Sequence, residues 1–338
     1  MNRLNVFATC PQSVNYTAGT YSEAVSKVAT WSEEAGCEGI LVYSDHRLTD
    51  PWLTSAKIME ATQSLIPLIA VQPVYMHPYT VAKMVASFYL LNNRRVALNM
   101  IAGGFRNDLH SLGDHTPHDE RYDRLYEYTH IIQQLLLQSQ QLNQEGKYYS
   151  VSQLALSSEF HADFMPEVFV SGSSPAGRET AEQLGATVVE YPEPMNADTP
   201  PSISNGHADR EIKGIRLGII ARKTSEQAWE VAKARFPGTR AGELLHTLAM
   251  RSSDSQWHRH LSSLDEYPSD SRIYWLGPFK NYSTFCPYLV GSYREVAEYL
   301  QQYLAQGYSR LILDIPPDRD DINYSMETIN MATEGVKV

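Results

Sequence analysis

The sequence is poor in cysteine. Its 338 residues include three, Cys10, Cys37 and Cys286, far apart and without a CxxC pair. That usage suits neither a zinc ribbon nor a disulfide framework. It suits a reducing compartment, so a cytoplasmic protein is expected. Long apolar runs are also missing: the longest, 65–71, is interrupted by Pro67 and is too short to span a bilayer. The opening MNRLNVFATCP lacks the apolar stretch of a secretory signal. Positive charge is scarce, with 28 Lys+Arg against 39 Asp+Glu and a formal net charge of -11. Such a balance argues against nucleic acid or an anionic membrane as the main partner. No GxSxG elbow is present, so a hydrolase triad has little support. His110, His115 and His118 show neither HxH nor HExxH spacing, and no metal is expected.

What is present is ordinary globular composition, 43% hydrophobic and 20% charged. The length allows two domains or one large α/β barrel. Short Val/Ile/Leu-rich runs predict strands at 4–9, 39–44, 66–72, 96–102, 168–171, 187–191, 215–221 and 310–315. They lack clean alternation, as parallel strands covered on both faces do. Helical periodicity fills the gaps at 21–35, 51 onward, 78–91, 118–138, 175–184, 225–236 and 293–305. Thr20 with Glu23 reads as a capping box, and Asp50-Pro51 as a cap followed by a first-turn proline. About eight strand–helix alternations predict an α/β fold, a (β/α)8 TIM barrel with insertions at the C-terminal face. A doubly wound sheet is the alternative, but no GxGxxG follows the first strand. The whole chain, 1–338, is expected to form one barrel domain. Residues 146–164 suggest a small hairpin. The polar, aromatic stretch 237–288 is either a lid over the site or a peripheral helical decoration.

Barrels of this kind carry function at the C-terminal ends of their strands. That rule selects Thr9 and Cys10, Ser44 to His46, Gln72 and Tyr75, and Asn99, Ala102 and Gly103. It also selects Ser171 to Ser174, Glu190 and Tyr191, Arg216 and Arg222, and Asp314. Val168 to Gly177 reads strand, small-residue turn, helix, an arrangement whose backbone N–H groups and hydroxyls can hold a phosphate. A plain turn capped by serine is the simpler reading of the same residues. The acidic start of 118–123 is likewise what a helix dipole favours, although His118 and Tyr122 can point back over the mouth. His46 can move a proton or bind an anion, or simply hydrogen-bond to its loop.

These residues resemble the bacterial-luciferase-like flavin monooxygenases, closest to the alkanesulfonate monooxygenase branch. Arg95 to Gly103 resembles the family's fourth strand, and His118-Asp-Glu-Arg-Tyr122 its HxxRY signature. Phe169 to Ser174 resembles its phosphate loop, and Gly214 to Gly218 through Thr224 to Trp229 its seventh strand and following helix. Ser44 to Trp52 resembles the second-strand end of both the flavin and deazaflavin branches. The resemblance implies reduced FMN and O2 as co-substrates and a C4a-peroxyflavin that oxygenates a small organic substrate. A separate reductase would supply the reduced flavin. Carried over, Tyr122 with Ser171, Gly172, Ser173 and Ser174 would hold the phosphate. Asn99 would contact the ribityl chain or ring edge, Tyr43, Ser44 and Gln72 would line the ring, and Ala102 and His118 would belong to the same cofactor site. His46 would transfer the proton, and Arg216 would face the substrate or peroxide anion or else form a structural ion pair with a neighbouring carboxylate. The resemblance also implies a homodimer or homotetramer.

The sequence departs from the sulfonate-handling pattern. Leu48 stands where the branch has Cys, Gly218 where it has His, and Pro316 where it has Tyr, while Lys280 falls near an Arg of its insertion. A flavin monooxygenase is therefore expected, but not a desulfonating one. An F420-dependent hydride-transfer enzyme and a non-catalytic flavin-binding protein remain alternatives on the same barrel.

Overall fold

The computed structural model describes residues 4–137, 140–156, 160–172, 174–195, 212–264 and 273–334. The first half runs β1 (Asn5–Thr9), α1 (Thr20–Glu34), β2 (Gly39–Val42), α2 (Pro51–Ala61), β3 (Ile66–Val71), α3 (Pro78–Asn92) and β4 (Ala97–Ile101). It continues with α4 (Arg106–Ser111), α5 (His118–Leu137), a hairpin of β5 (Leu142–Glu145) and β6 (Ser150–Leu154), then β7 (Val168–Ser171), α6 (Pro175–Leu184) and β8 (Thr187–Glu190). The second half is β9 (Ile212–Arg222), α7 (Ser225–Arg235), α8 (Arg240–Ser252), α9 (Gln256–Ser263), β10 (Tyr274–Trp275) and α10 (Gly277–Lys280). The chain ends with β11 (Tyr288–Ser292), α11 (Tyr293–Ala305), β12 (Tyr308–Leu313) and α12 (Arg319–Glu334).

Eight parallel strands, β1-β2-β3-β4-β7-β8-β9-β12, close into a barrel, with β12 returning to β1. These are the eight strands expected from the sequence, in the same order. A further parallel strand was not expected: β11 pairs with the outer half of β9, from Gly218 to Arg222. Its five residues are too short and too mixed to stand out in a polar stretch. The helices begin where cap chemistry places them. Asp50 accepts from the Trp52 and Leu53 amides, and Ser174 from Gly177. Thr20 departs from expectation: the helix starts on Thr20 itself, with Gly19 as cap, because the Thr20 hydroxyl bonds to Thr17. The hairpin lies at 142–154, starting earlier than the 146–164 read from the sequence.

Alternation along each strand sorts side chains into two layers. One set faces the helices, for example Ile215, Leu217 and Ile219 of β9. The other fills the lumen, with Phe7, Leu41, Leu68, Ala97, Phe169, Val189 and Ile312, one from each of seven strands. On β9 the lumen parity falls on Gly214, Arg216 and Gly218, and Arg216 lies in register with Ile312. A buried arginine thus takes the place of a core aliphatic in one strand only.

Candidate active site

Continuing the lumen parity past the apolar floor builds the site. The next inward positions are Tyr43, Asn99, Ser171, Tyr191 and Asp314, with Gln72 following Ala70 on β3, at or just beyond the strand ends. With the surrounding loops, all of these but Asp314 and Ala70 bound a cleft enclosing about 1400 Å³, open solvent included. Tyr43, Gln72, Asn99, Ser171, Tyr191 and Arg216 all line it.

At one end the β7–α6 turn meets α5. The Ser171 hydroxyl donates to Asn99 Oδ1 at 2.7 Å, which leaves the Asn99 amide nitrogen for other partners. Ser174 caps α6 by accepting from the Gly177 amide at 3.2 Å, and its O–H is turned to the Tyr122 hydroxyl. Burial pushes the Tyr122 phenol above its ordinary range, which keeps it a neutral donor. Gly172 is required by contact: a Cβ there would lie 2.2 Å from the Tyr122 hydroxyl. His118, with its Nδ1 2.7 Å from Asp119 Oδ1, sets its ring edge-on to Tyr122 at 5.3 Å. Hydroxyls and turn amides around a helix start make this end suited to a phosphate.

At the other end Arg216 is buried under the Tyr43 ring, 4.7 Å from guanidinium carbon to ring centroid. Its Nη1 donates to the Tyr191 hydroxyl at 3.3 Å, and Nη2 lies 3.7 Å from Asp314. Asp314 in turn accepts from Thr284 at 2.5 Å and Tyr288 at 2.8 Å. Tyr191 stacks on Trp257 of α9 with ring centroids 3.4 Å apart, and Trp257 lies against His258. Burial, with the charges of His246 and Arg216 adding to it, holds the His258 imidazole down to about 3. His258 is therefore neutral at any physiological pH.

The insertion is fastened over this end. Residues Phe105 and Ser253 form an antiparallel bridge, and the Asp254 amide donates to the Gly104 carbonyl at 3.1 Å. The Asp254 carboxylate takes Arg121 Nη2 at 3.0 Å and Arg106 Nε at 3.0 Å. Arg121, the arginine of the HxxRY segment, also donates to the Gly103 carbonyl at 3.1 Å. The residue beside the phosphate-suited end thus ties down the segment over the opposite end.

Residues 2–310 match the sequence profile of the luciferase-like monooxygenases. The chain belongs to the luciferase-like monooxygenase family. It is 34% identical over 315 residues, 90% of each chain, to BtrO of Niallia circulans, a monooxygenase acting on 4-(gamma-L-glutamylamino)butanoyl carried by the BtrI acyl-carrier protein. Its fold is similar to EDTA monooxygenase from Chelativorans sp. BNC1, with TM-score 0.73 and 14% identity over 99% of this chain and 94% of that one. It is also similar to the oxygenating constituent of 3,6-diketocamphane monooxygenase of Pseudomonas putida, a structure in complex with FMN, with TM-score 0.66 and 15% identity over 97% of both chains.

Within this luciferase-like barrel, Tyr43, Ser44, Gln72, Asn99, Ala102, His118, Tyr122, Ser171, Gly172, Ser174 and Arg216 all line one cleft. Ser173 lies outside the described residues. His46 does not join them. It is exposed and faces an adjoining hollow, its Nδ1 3.3 Å from the Ser111 hydroxyl and its ring 6.0 Å from Tyr75. Other expected strand-end residues turn elsewhere: Glu190 pairs with Arg178, Arg222 pairs with Asp321, the Thr9 hydroxyl donates to the Leu313 carbonyl, and Cys10 packs in the apolar core. Sequence reasoning offered the 237–288 stretch as a lid but did not single out Trp257 or His258 within it; the available signal was a Trp-His pair in a short amphipathic segment that follows Ser255. The described part of the 237–288 stretch is mainly helical, and α9 brings Trp257 and His258 to the cleft. Among the described residues, no helix is long and apolar enough to cross a membrane, and no cluster of three or more His, Cys, Asp or Glu is arranged to hold a metal.

Proposed function

We propose that this luciferase-like monooxygenase uses reduced FMN and O2 to oxygenate a small organic substrate, with the reduced flavin delivered by a separate reductase. The observation that carries this reading is the cradle made by Gly172, Ser174 and Tyr122 at the mouth of a closed barrel, beneath an insertion tied to the same helix. The residues fit the cofactor. Ser174, Tyr122, the Gly172 turn and His118 would hold the phosphate, with Ser173 beside them in sequence. Asn99, oriented by Ser171, would meet the ribityl chain or ring edge. Tyr43, Ser44, Gln72 and Ala102 would flank the ring system. Bound there in reduced form, FMN supplies the activation of O2.

The rest belongs to this chain. Arg216 supplies positive charge at the reacting end, held in place by Tyr191 and Asp314. Tyr191, Trp257 and Phe285 wall the cleft with aromatic surface that keeps water from the reacting centre. The 237–288 segment serves as the lid, and its Asp254 clasp keeps it seated. His46, on the outside, is left out of the reacting set. The carrier-borne substrate of BtrO makes an acyl group on a carrier protein the first substrate form to test.

The test is oxygen uptake with photoreduced FMN under labelled O2, scored for one labelled oxygen atom in the product of an acyl-carrier substrate. Uptake with label in the product supports the reading. Turnover with reduced F420 and no oxygen uptake would replace it with hydride transfer, and tight FMN binding without any product would replace it with a flavin-binding protein.

A further inference from the structure

Four polar atoms around the Arg216 end of the cleft are buried and lack a hydrogen-bond partner. They are Arg216 Nε and Nη2, His258 Nε2 and Ser255 Oγ, and all three residues line the cleft. Buried donors are seldom left unmet, because each forgoes its water without a replacement. The two arginine atoms are not an arbitrary pair. Nη1 is already engaged by Tyr191, and Nε with Nη2 form the side edge of the guanidinium, the fork that takes two oxygens at once. Arg216, Tyr191, Trp257 and His258 follow one another in unbroken contact. Ser253 Oγ accepts from the Ser255 amide at 3.1 Å and lies 3.4 Å from His258 Nδ1. In the tautomer in which the Ser253 hydroxyl donates to Nδ1, the ring proton sits on the unpartnered Nε2, and His258 adds a third donor.

We propose that the Arg216 fork and the His258 Nε2–H together bind a carboxylate carried by the organic substrate, a reading that rests on the flavin cleft described above and names the substrate class it takes. A carboxylate brings two oxygens and several lone pairs to three donors. An amide or ester brings fewer, and an amide would also set its own N–H against donors. Asp314 does not fill this role. It stands 3.7 Å from Nη2 and spends its Oδ2 on Thr284 and Tyr288. Ser255, at the start of α9, can close on the same group from the lid side.

The test uses glutarate and glutaramide, titrated calorimetrically into the full-length protein, with Arg216→Lys and His258→Phe as variants. FMN affinity is followed on the same samples by flavin fluorescence. Glutarate is expected to bind at least about tenfold tighter than glutaramide, and each variant to lose most of that preference, because lysine has no fork and phenylalanine no N–H. FMN affinity should stay within about twofold in His258→Phe, whose ring lies away from the phosphate end. Equal binding of the two probes, or an intact preference in both variants, overturns the carboxylate site. The wild-type comparison decides the matter even where a variant does not fold. Selection of glutarate by a protein that takes no FMN would uphold the carboxylate site and refute the flavin reading, so the two failures are distinguishable.

Discussion

Single residues in this cleft do work that their neighbours make possible. His258 is held neutral with its pKa about 3, well below the ordinary 6.5 of histidine. A depressed histidine contributes stability that is complete above the ordinary value and is lost as pH falls from 6.5 toward 3. Replacing it with phenylalanine removes that dependence. The gap in unfolding free energy between wild type and His258→Phe should therefore be larger in wild type's favour at about pH 7 than at about pH 4, as read by urea denaturation. A constant gap would mean that the imidazole is not buried neutral. Gly218 shows the same dependence on neighbours. A Cβ there would lie 2.3 Å from the Tyr288 ring, and Tyr288 donates to the Asp314 that steadies Arg216. This is the position where the resemblance led one to look for histidine, and the ring of Tyr288 explains why none fits. Gly218→Ala should destabilise the protein by about 1–3 kcal/mol through overpacking, measured by thermal or chemical unfolding. At the phosphate end, Ser174→Ala with Tyr122→Phe should weaken FMN binding by about 1–3 kcal/mol, the loss of charge-assisted partners. Unchanged affinity in a titration would remove both residues from the phosphate site.

Elements carry the next level of the argument. The loop after β4, the start of α5 and the start of α9 are joined through Asp254, which meets Arg106 and the almost fully buried Arg121. Removing one partner of a buried pair strands the other, so Asp254→Ala should cost about 3 kcal/mol of stability. The same change should speed amide exchange in α9 while leaving α3, which packs in a separate apolar cluster, protected. Equal protection of α9 in both proteins would show that the clasp does not hold the insertion. Barrel strands were legible in the sequence because burial on both faces gives compact apolar runs. Helix starts were legible where a side chain caps its own helix, as at Asp50 and Ser174, and misread at Thr20, whose hydroxyl has a nearer partner in Thr17. β11 and α9 could not be read that way. Their roles arise from tertiary pairing with β9 and with the mouth, which local patterning does not record.

At the scale of the molecule, strand order and side-chain parity, with the loops over the mouth, bring residues from Gln12 to Ile312 onto one cleft. The strand-end rule named Gln72, Asn99, Ser171 and Arg216 from the sequence, and the family resemblance added Tyr43. His46 fell outside because it sits past the strand end, where alternation no longer dictates direction. A homodimer or homotetramer is expected, and light scattering should find one; a monomer at working concentration would contradict that expectation. The account as a whole turns on whether the β7–α6 turn and Tyr122 receive the phosphate of a mononucleotide. Anaerobic titration with photoreduced FMN and photoreduced riboflavin measures this directly, since the two ligands differ only by that phosphate. FMN should bind at least about a hundredfold tighter, the value of two to three charge-assisted hydrogen bonds. Equal affinity for riboflavin would contradict it.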